Sequence, residues 1–154
     1  MTNTKLIQLT EHFTLEEFTR SAIAALRGID NKPDAVQLTN LQMIAHQMEH
    51  VRYLLGGNPI IISSGFRSEA LNDVVGGSST SSHAHGLAVD FTCPKFGTVK
   101  EVCMHLKNNS FKFDQLIYEQ GRTNWCHLGF GEKKRQEVLS WKSGKGYVFG
   151  IIDL

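Results

Sequence analysis

The segment from Ser81 to Asp90 places two potential metal ligands at the point where a loop becomes a strand. It reads S-S-H-A-H-G-L-A-V-D and follows a run of Gly, Ser and Thr that begins at Gly76, which predicts a loop. From Leu87 the letters L-A-V-D-F have a period of two, which predicts a β-strand with Asp90 on the face away from the core. We therefore expect His83 on the loop and Asp90 on the strand. An imidazole nitrogen and a carboxylate oxygen both bind zinc, but a site needs a third protein ligand.

A second alternating segment, Asn124 to Phe130, offers that third ligand. It reads N-W-C-H-L-G-F and puts His127 on the face opposite Cys126 and Leu128. Two His and one Asp leave a fourth position for water, as a catalytic zinc site requires. Either histidine alone would more often be an ordinary residue, His83 a loop histidine and His127 a hydrogen-bonded strand histidine, so only the joint pattern indicates a metal site.

The joint pattern, S-x-H-x-x-G-x-A-x-D followed by W-x-H, resembles the zinc D-alanyl-D-alanine carboxypeptidases and their relatives. Those relatives include dipeptidases of the vancomycin-resistance type and phage L-alanyl-D-glutamate endolysins, which share a fold with the Hedgehog signalling domain. The matching residues are Ser81, His83, Gly86, Ala88, Asp90, Trp125 and His127. By this resemblance His83, Asp90 and His127 are the ligands of one Zn²⁺ ion. The N-terminal segments F-T-L-E-E-F-T-R-S and G-I-D-N-x-P are similar to those of phage-type members.

A further short segment of the resemblance follows an apolar run. S-G-F-R-S, containing Arg67, is similar to the S-G-Y-R-S of this family. A guanidinium can hold a carboxylate or a developing negative charge, and the resemblance gives Arg67 that catalytic and substrate-binding role; the alternative is an ordinary surface arginine. We also expect Ser81 and Trp125 to bind substrate. His85 is expected at the mouth of the site, or else as a solvated histidine beside the ligands.

The general base is where the chain departs from the pattern. Many relatives carry an acidic residue three positions before the last histidine, and here that position is Asn124, which cannot accept and return a proton. The nearest acid is Glu119, at the end of the apolar segment Phe113 to Glu119. A hairpin with the loop Arg122 to Asn124 would set Glu119 directly opposite His127, within reach of a water at the metal. The alternative is that Glu119 is a polar strand end.

Local signals predict the remaining elements. Capping boxes at Thr14 and Thr98 predict two helices, and apolar residues with helical spacing predict a long helix from Asp34 to Leu55. The β-branched run Pro59 to Ile62 predicts a buried central strand. A short helix is expected over Glu69 to Val75, and a strand or wrapped tail after Glu132. With the resemblance, these predict an α+β fold: a small domain with a central, mostly antiparallel sheet and a C-terminal hairpin, packed by helices, as in the Hedgehog and D,D-peptidase fold.

Composition limits the classes of partner. The 154 residues carry 16 Lys and Arg against 15 Asp and Glu, which gives no electrostatic case for nucleic acid, and no apolar run is long enough to span a membrane. We expect one domain over residues 1–154, with residues 1–32 as an N-terminal lead-in, acting as a monomer. The three cysteines fit neither a C-x-x-C pair nor an even disulfide framework, so we expect buried free thiols.

The family resemblance implies a zinc-dependent peptidase that hydrolyses peptide bonds of bacterial peptidoglycan. It would be a D,D-carboxypeptidase or an endolysin-type endopeptidase, with stem peptides of the cell wall as its substrate. The segment Met1 to Leu9 is short and polar rather than a signal peptide, so synthesis in the cytoplasm is expected, with release to the wall or carriage in a bacteriophage virion. The alternatives are a non-catalytic zinc-binding recognition module and a virion structural protein of the same fold.

Overall fold

A computed structural model describes residues 5–109 and 111–154, so residues 1–4 of the predicted N-terminal lead-in lie outside it. The described chain contains helices α1 (Leu15–Thr19), α2 (Ala22–Arg27), α3 (Ala35–Leu54), α4 (Glu69–Val74) and α5 (Val99–Asn108), and a 3₁₀ turn (Ser82–His85). Its strands are β1 (Ile61–Ser64), β2 (Ala88–Thr92), β3 (Gln115–Gln120), β4 (Trp125–Gly129), β5 (Glu137–Lys142) and β6 (Gly146–Phe149).

The six strands form one sheet in the order β1-β2-β4-β3-β5-β6. Every neighbouring pair is antiparallel except β3 and β5, which are parallel. The predicted α+β fold with a mostly antiparallel sheet is confirmed. The chain ends in a hairpin of β5 and β6, where the sequence predicted a strand or wrapped tail after Glu132. One face of the sheet packs against the helices, and the other lines a cavity, an arrangement that antiparallel sheets commonly adopt.

The prediction of a central strand over Pro59 to Ile62 is wrong, because β1 lies at the edge of the sheet. Ile60 and Ile62 are buried, but the side chain between them, Ile61, is 52% exposed. Helix α1 and the residues after it cover part of this edge: the Phe66 N–H donates to the Phe18 carbonyl at 2.7 Å, and Arg20 Nη2 donates to the Ile62 carbonyl at 3.2 Å. A run of β-branched residues therefore indicated a strand correctly but could not indicate its place in the sheet.

The helices follow the local signals in most cases. The capping boxes at Thr14 and Thr98 are both present, and a third, Asp34 with Gln37, opens α3. The predicted apolar stripe of α3 is buried in the core; its members are Leu41, Ile44, Met48, Val51 and Leu55. Helix α2 was not predicted, because among its residues only Ala24 is buried and it has no apolar stripe.

The core also accounts for the cysteines. Cys93, Cys103 and Cys126 are all buried and free, as predicted. None of the helices in the described ranges is both long enough and apolar enough to cross a membrane.

The connection from β4 to β5 is held by a carboxylate at the start of β3. Residues 130–136 cross β3 where that strand begins, at Gln115. Strand β5 therefore pairs with the edge of β3 that lies opposite β4. Asp114 Oδ1 accepts hydrogen bonds from Arg135 N at 3.0 Å and Nε at 2.8 Å, and its Oδ2 accepts one from Nη2 at 3.0 Å. Gly131 leaves room for this pair, because a Cβ there would lie 2.8 Å from Asp114 Oδ2. Asp114 thus fixes the position of the C-terminal hairpin.

We expect Asp114→Asn to destabilise the protein by about 1–2 kcal/mol at pH 7, since it weakens a bidentate charge pair whose arginine is half exposed. The hydrogen bonds from Arg135 hold the pKa of Asp114 below its usual range. A lowered carboxyl pKa contributes stability above the unfolded value, about 3.9, and this contribution is lost as the pH falls through the folded value. The gap in urea-unfolding free energy between wild type and variant should therefore narrow below about pH 4. Asp73→Asn, at an exposed position, is the control; an equal loss there would contradict the assignment.

Candidate metal centre and active site

Strand pairing brings Asp90 and His127 together. They are directly opposed on β2 and β4, so their side chains leave the sheet on the same face. His127 Nδ1 donates a hydrogen bond to Asp90 Oδ1 at 2.8 Å, and both side chains are buried. The sequence predicted the shared face, and the register of the two strands makes the residues neighbours.

His83 approaches the same carboxylate from the 3₁₀ turn rather than from an irregular loop. The turn begins at Ser81, whose Oγ accepts the His83 N–H at 3.3 Å, and ends at Gly86, which has a φ of 69°. His83 Nδ1 lies 2.7 Å from the Gly65 carbonyl oxygen. A carbonyl can only accept, so Nδ1 carries a proton, and in the neutral imidazole the lone pair of Nε2 is free. Nε2 lies 3.3 Å from Asp90 Oδ1.

The three side chains are arranged as a cation site. One ligand atom from each of His83, Asp90 and His127 lies within 4.8 Å of the others, and all three residues are buried. The lone pair of His83 Nε2 and the Asp90 carboxylate repel each other unless a proton or a metal ion lies between them. Ligands about 2.0–2.2 Å from a tetrahedral zinc are about 3.3–3.5 Å apart, close to the distance between His83 and Asp90. The group could therefore hold a metal ion.

The pKa of the Asp90 carboxyl also indicates that the cluster favours positive charge beside it. Burial on its own raises the pKa of Asp90, but the adjacent His83 and His127 more than offset that effect and hold the pKa well below its usual range. The carboxylate thus stays ionised, as a metal ligand must.

Glu119 lies on the same face of the sheet, but its predicted register is wrong. Its partner on β4 is Trp125, and Ile117 is the residue opposite His127. The shift is two residues, so the face is kept, and Glu119 Oε1 still comes within 3.8 Å of His127 Nδ1 across the diagonal. Burial and the charge of Asp90 raise the pKa of Glu119 to about 7. A carboxyl with such a pKa can both accept and release a proton near neutral pH.

Asn124 closes the hairpin loop between β3 and β4 in the observed register. Its Oδ1 accepts the Gly121 N–H at 3.3 Å, and its Nδ2 lies 3.4 Å from the Tyr118 hydroxyl oxygen, so the side chain closes the hairpin loop. Tyr118 belongs to the apolar face, so this contact turns Asn124 away from His127. A side chain three positions before His127 points away from the metal cluster in this strand.

Arg67, Ser81 and Trp125 line one cavity of about 860 Å³ together with the His-Asp-His cluster and Glu119. Arg67 Nη2 lies 3.4 Å from Ser81 Oγ, while its buried Nε has no hydrogen-bond partner among the described residues. Burial lowers the pKa of Arg67, and the charges of Asp90 and Glu119 oppose that change. The guanidinium, which stays protonated, thus belongs to a side chain in the cavity wall and has one buried donor that no described residue pairs with.

The indole of Trp125 borders Glu119. Its buried Nε1 makes no well-formed hydrogen bond within the described chain, yet it lies near enough to Glu119 to oppose the rise of that pKa. The N–H is a free donor beside the predicted base.

His85 is exposed, and it is not among the described residues that line this cavity. Its backbone carbonyl accepts a hydrogen bond from Asn40 Nδ2 at 2.8 Å. The expected role of its side chain at the mouth of the site stays a prediction.

The cavity also contains residues to which the sequence analysis assigned no chemistry. Trp141, Tyr147 and Phe149 of the C-terminal hairpin line it, with Glu137. Their period-two spacing indicates a shared face within each strand. Only the parallel pairing of β5 with β3 shows that this face is also the face of the metal cluster.

Comparison with protein families identifies the group to which this site belongs. A family model described as Peptidase M15 matches residues 11–129, which contain the three cluster residues, Arg67 and Glu119. The chain belongs to the M15 peptidase family. Peptidases of this family are zinc-dependent, in agreement with a cluster that could hold a metal ion. A comparison with curated proteins finds no match.

For this M15 peptidase we expect one zinc ion per chain and near-complete loss of tight binding in Asp90→Ala and His127→Ala, since each removes one of three ligands. Titration of the metal-free protein, followed by calorimetry and by metal analysis after dialysis, measures this. His46→Ala, an exposed histidine on α3, is the control. Unchanged stoichiometry in the Asp90 variant would contradict the site.

Gly65→Ala should affect the metal site through the backbone. A Cβ at position 65 would lie 2.5 Å from the Phe18 carbonyl oxygen, so the backbone must shift, and with it the carbonyl that orients His83. We expect a loss of about 1–3 kcal/mol in unfolding free energy and about 10–100-fold in zinc affinity. Gly121→Ala is the matched control, since its Cβ would lie 3.4 Å from the nearest atom. Wild-type zinc affinity in Gly65→Ala would show that the carbonyl does not hold His83 in place.

Proposed function

We propose that this M15 peptidase is a zinc-dependent hydrolase of peptide bonds in bacterial peptidoglycan, of the D,D-carboxypeptidase or endolysin type. The observation that carries the proposal is the buried His83–Asp90–His127 group with the Glu119 carboxyl at its edge, in one cavity. Residues 1–154 would act as one domain. The described part of the lead-in supports this, because Phe13 and Phe18 are buried in the core.

His83 Nε2, Asp90 Oδ1 and His127 Nδ1 would hold the ion. His127 would then carry its proton on Nε2, because Nδ1 needs its lone pair to bind a metal and can no longer donate to Asp90. A zinc ion supplies Lewis-acid chemistry, which polarises the scissile carbonyl and acidifies a water molecule. The fixed tautomer of His83 supports this assignment, since the Gly65 carbonyl leaves Nε2 free to bind.

Glu119 would act as the general base and then as the general acid. Its carboxylate takes a proton from the attacking water and returns it to the amine of the leaving group. Burial supports this role, because loss of solvation raises the pKa of the carboxyl and so makes it a stronger base than an exposed glutamate. Asn124 departs from the acidic residue of many relatives, and its role in closing the hairpin loop leaves Glu119 as the acid beside the cluster.

Arg67 would stabilise negative charge on the substrate. Its side chain lines the cavity, its Nε has no partner among the described residues, and a guanidinium suits a carboxylate or a developing oxyanion. Ser81 orients Arg67 through its Oγ and lines the same cavity, which supports a place for Ser81 and Trp125 beside the bound peptide.

The cell-wall substrate rests on the resemblance of the S-x-H-x-x-G-x-A-x-D and W-x-H segments to peptidoglycan peptidases. The N-terminal similarity to phage-type members supports an endolysin or a virion-borne lytic enzyme that meets the wall after synthesis. An open cavity suits an extended peptide, and the proposal needs no partner subunit.

We expect Glu119→Gln to reduce kcat by about 10²–10⁴-fold on purified peptidoglycan while zinc content stays unchanged, because the amide cannot accept the proton. The measurement is the rate of muropeptide release, with the products identified by mass spectrometry. Asn124→Asp is the matched comparison: it restores the acid of many relatives at a position that faces away from the cluster. This variant should keep wild-type activity and should not rescue Glu119→Gln.

The same digests test the function itself. Zinc removal by a chelator should abolish product release, and added zinc should restore it. Release that persists without zinc would refute the zinc mechanism. A protein that binds zinc tightly but releases no product from any wall would instead be a recognition module or a virion component of this fold.

A further inference from the structure

The C-terminal hairpin continues the metal-bearing face of the sheet as two cross-strand rows. One row runs Asp90, His127, Ile117, Leu139 and Phe149 across β2, β4, β3, β5 and β6. The other row runs Trp125, Glu119, Trp141 and Tyr147. Directly paired residues share a face, so both rows lead from the metal cluster to the hairpin. The family match ends at residue 129, so β5 and β6 lie outside the matched range.

The far end of these rows is an exposed aromatic surface, which we call the hairpin platform: Trp141, Tyr147 and Phe149. Tyr147 is 63% exposed and Phe149 is 82% exposed, and the rings of Trp141 and Tyr147 are 6.3 Å apart. Large aromatic side chains grouped on an open surface beside a cavity indicate a binding site. The platform lines the same cavity as the metal cluster.

Polar planar groups border the platform. Gln115 Nε2 donates to Glu137 Oε1 at 2.7 Å, and the Arg135 Nη1 lies 3.9 Å from that same oxygen. These amide, carboxylate and guanidinium groups can pair with hydroxyl and acetamido groups of a ligand, while the rings cover an apolar face. A pyranose ring has this combination of an apolar face and a polar rim.

Distance along the sheet fits a ligand attached to the cleaved peptide. Phe149 lies three strand spacings from His127, and Tyr147 lies two strand spacings from Glu119. At about 4.8 Å per spacing, these separations are about 14 Å and about 10 Å. An extended peptide covers that distance in about three to four residues. The stem peptides of peptidoglycan consist of small and charged residues and offer little to exposed aromatic rings, whereas the sugars to which they are attached offer a flat apolar face.

We propose that the hairpin platform binds a saccharide ring of the glycan strand while the attached stem peptide lies at the metal cluster. This inference rests on the proposed function for the identity of the substrate. Under this proposal the enzyme prefers stem peptides that are still attached to glycan and acts less well on free stem peptides. Trp141, Tyr147 and Phe149 are then specificity residues and take no part in proton transfer.

Binding of an N-acetylglucosamine tetrasaccharide tests the platform without any catalytic step. We expect chemical-shift changes confined to the hairpin in the wild-type protein, and an affinity about tenfold weaker in the double variant Tyr147→Ala with Phe149→Ala. Tyr147→Phe keeps the ring and should keep most of the affinity. Tyr53→Ala is the matched control, since Tyr53 is a 78% exposed tyrosine on α3 that lies outside the lining of the cavity.

Kinetics provide the second readout. On glycan-attached muropeptides the double variant should raise KM about tenfold with kcat unchanged, and on free stem peptides it should change neither. An equal rise of KM on both substrates would overturn the proposal in favour of a peptide subsite. Concentration-dependent dimers that the double variant abolishes would overturn it in favour of an interface between two copies.

The two proposals can fail separately. His127→Ala should bind the tetrasaccharide as the wild-type protein does, because the platform does not use the metal. Saccharide binding without hydrolysis of any wall would refute the proposed activity and leave the platform in place. Hydrolysis without saccharide binding would refute the platform alone.

Discussion

A buried carboxylate between two imidazoles is the interaction on which the site depends. Burial of the Asp90 charge would be costly without compensation, and His127 Nδ1 supplies part of it as a hydrogen-bond donor at 2.8 Å. His83 Nε2, at 3.3 Å, contributes only with a proton or a metal ion between the two atoms. The first contact follows from the pairing of β2 with β4, and the second follows from a 3₁₀ turn that the Gly65 carbonyl holds in place. The free nitrogen of His83 faces the Asp90 carboxylate, so positive charge is needed between the two groups. A divalent cation would supply that charge.

The two faces of the sheet have different roles. The apolar face packs on α3 and α5 and stabilises the fold, while the opposite face carries polar and aromatic side chains that converge on one cavity. Strands β2 and β4 supply the potential metal ligands, β3 supplies Glu119, and the C-terminal hairpin extends the surface. Because Asp114 and Arg135 fix the crossing past β3, the hairpin has a defined position relative to Glu119.

Prediction from sequence succeeded where the controlling interactions are local. The capping boxes at Thr14 and Thr98 lie within one helical turn, and both helices begin there. It failed for α2, whose exposed sequence contains no apolar stripe, and for the position of β1, which depends on its neighbours. Glu119 lies between these cases. Alternation placed it on the face of His127, but a shift of two residues preserves that face, so alternation could not identify Trp125 as its partner.

The sequence by itself determined which side chains could bind a metal, where most of the helices and strands form, and which residues of a strand share a face. These properties follow from residue chemistry and from the periods of the helix and the strand, all of which act over a few positions. Only the tertiary structure decided that Asp90 lies opposite His127, that Asn124 closes a loop away from the site, and that the aromatic hairpin shares the face of the metal cluster. Strand order and register depend on hydrogen bonds between residues far apart in the chain, and no local period in the sequence encodes them.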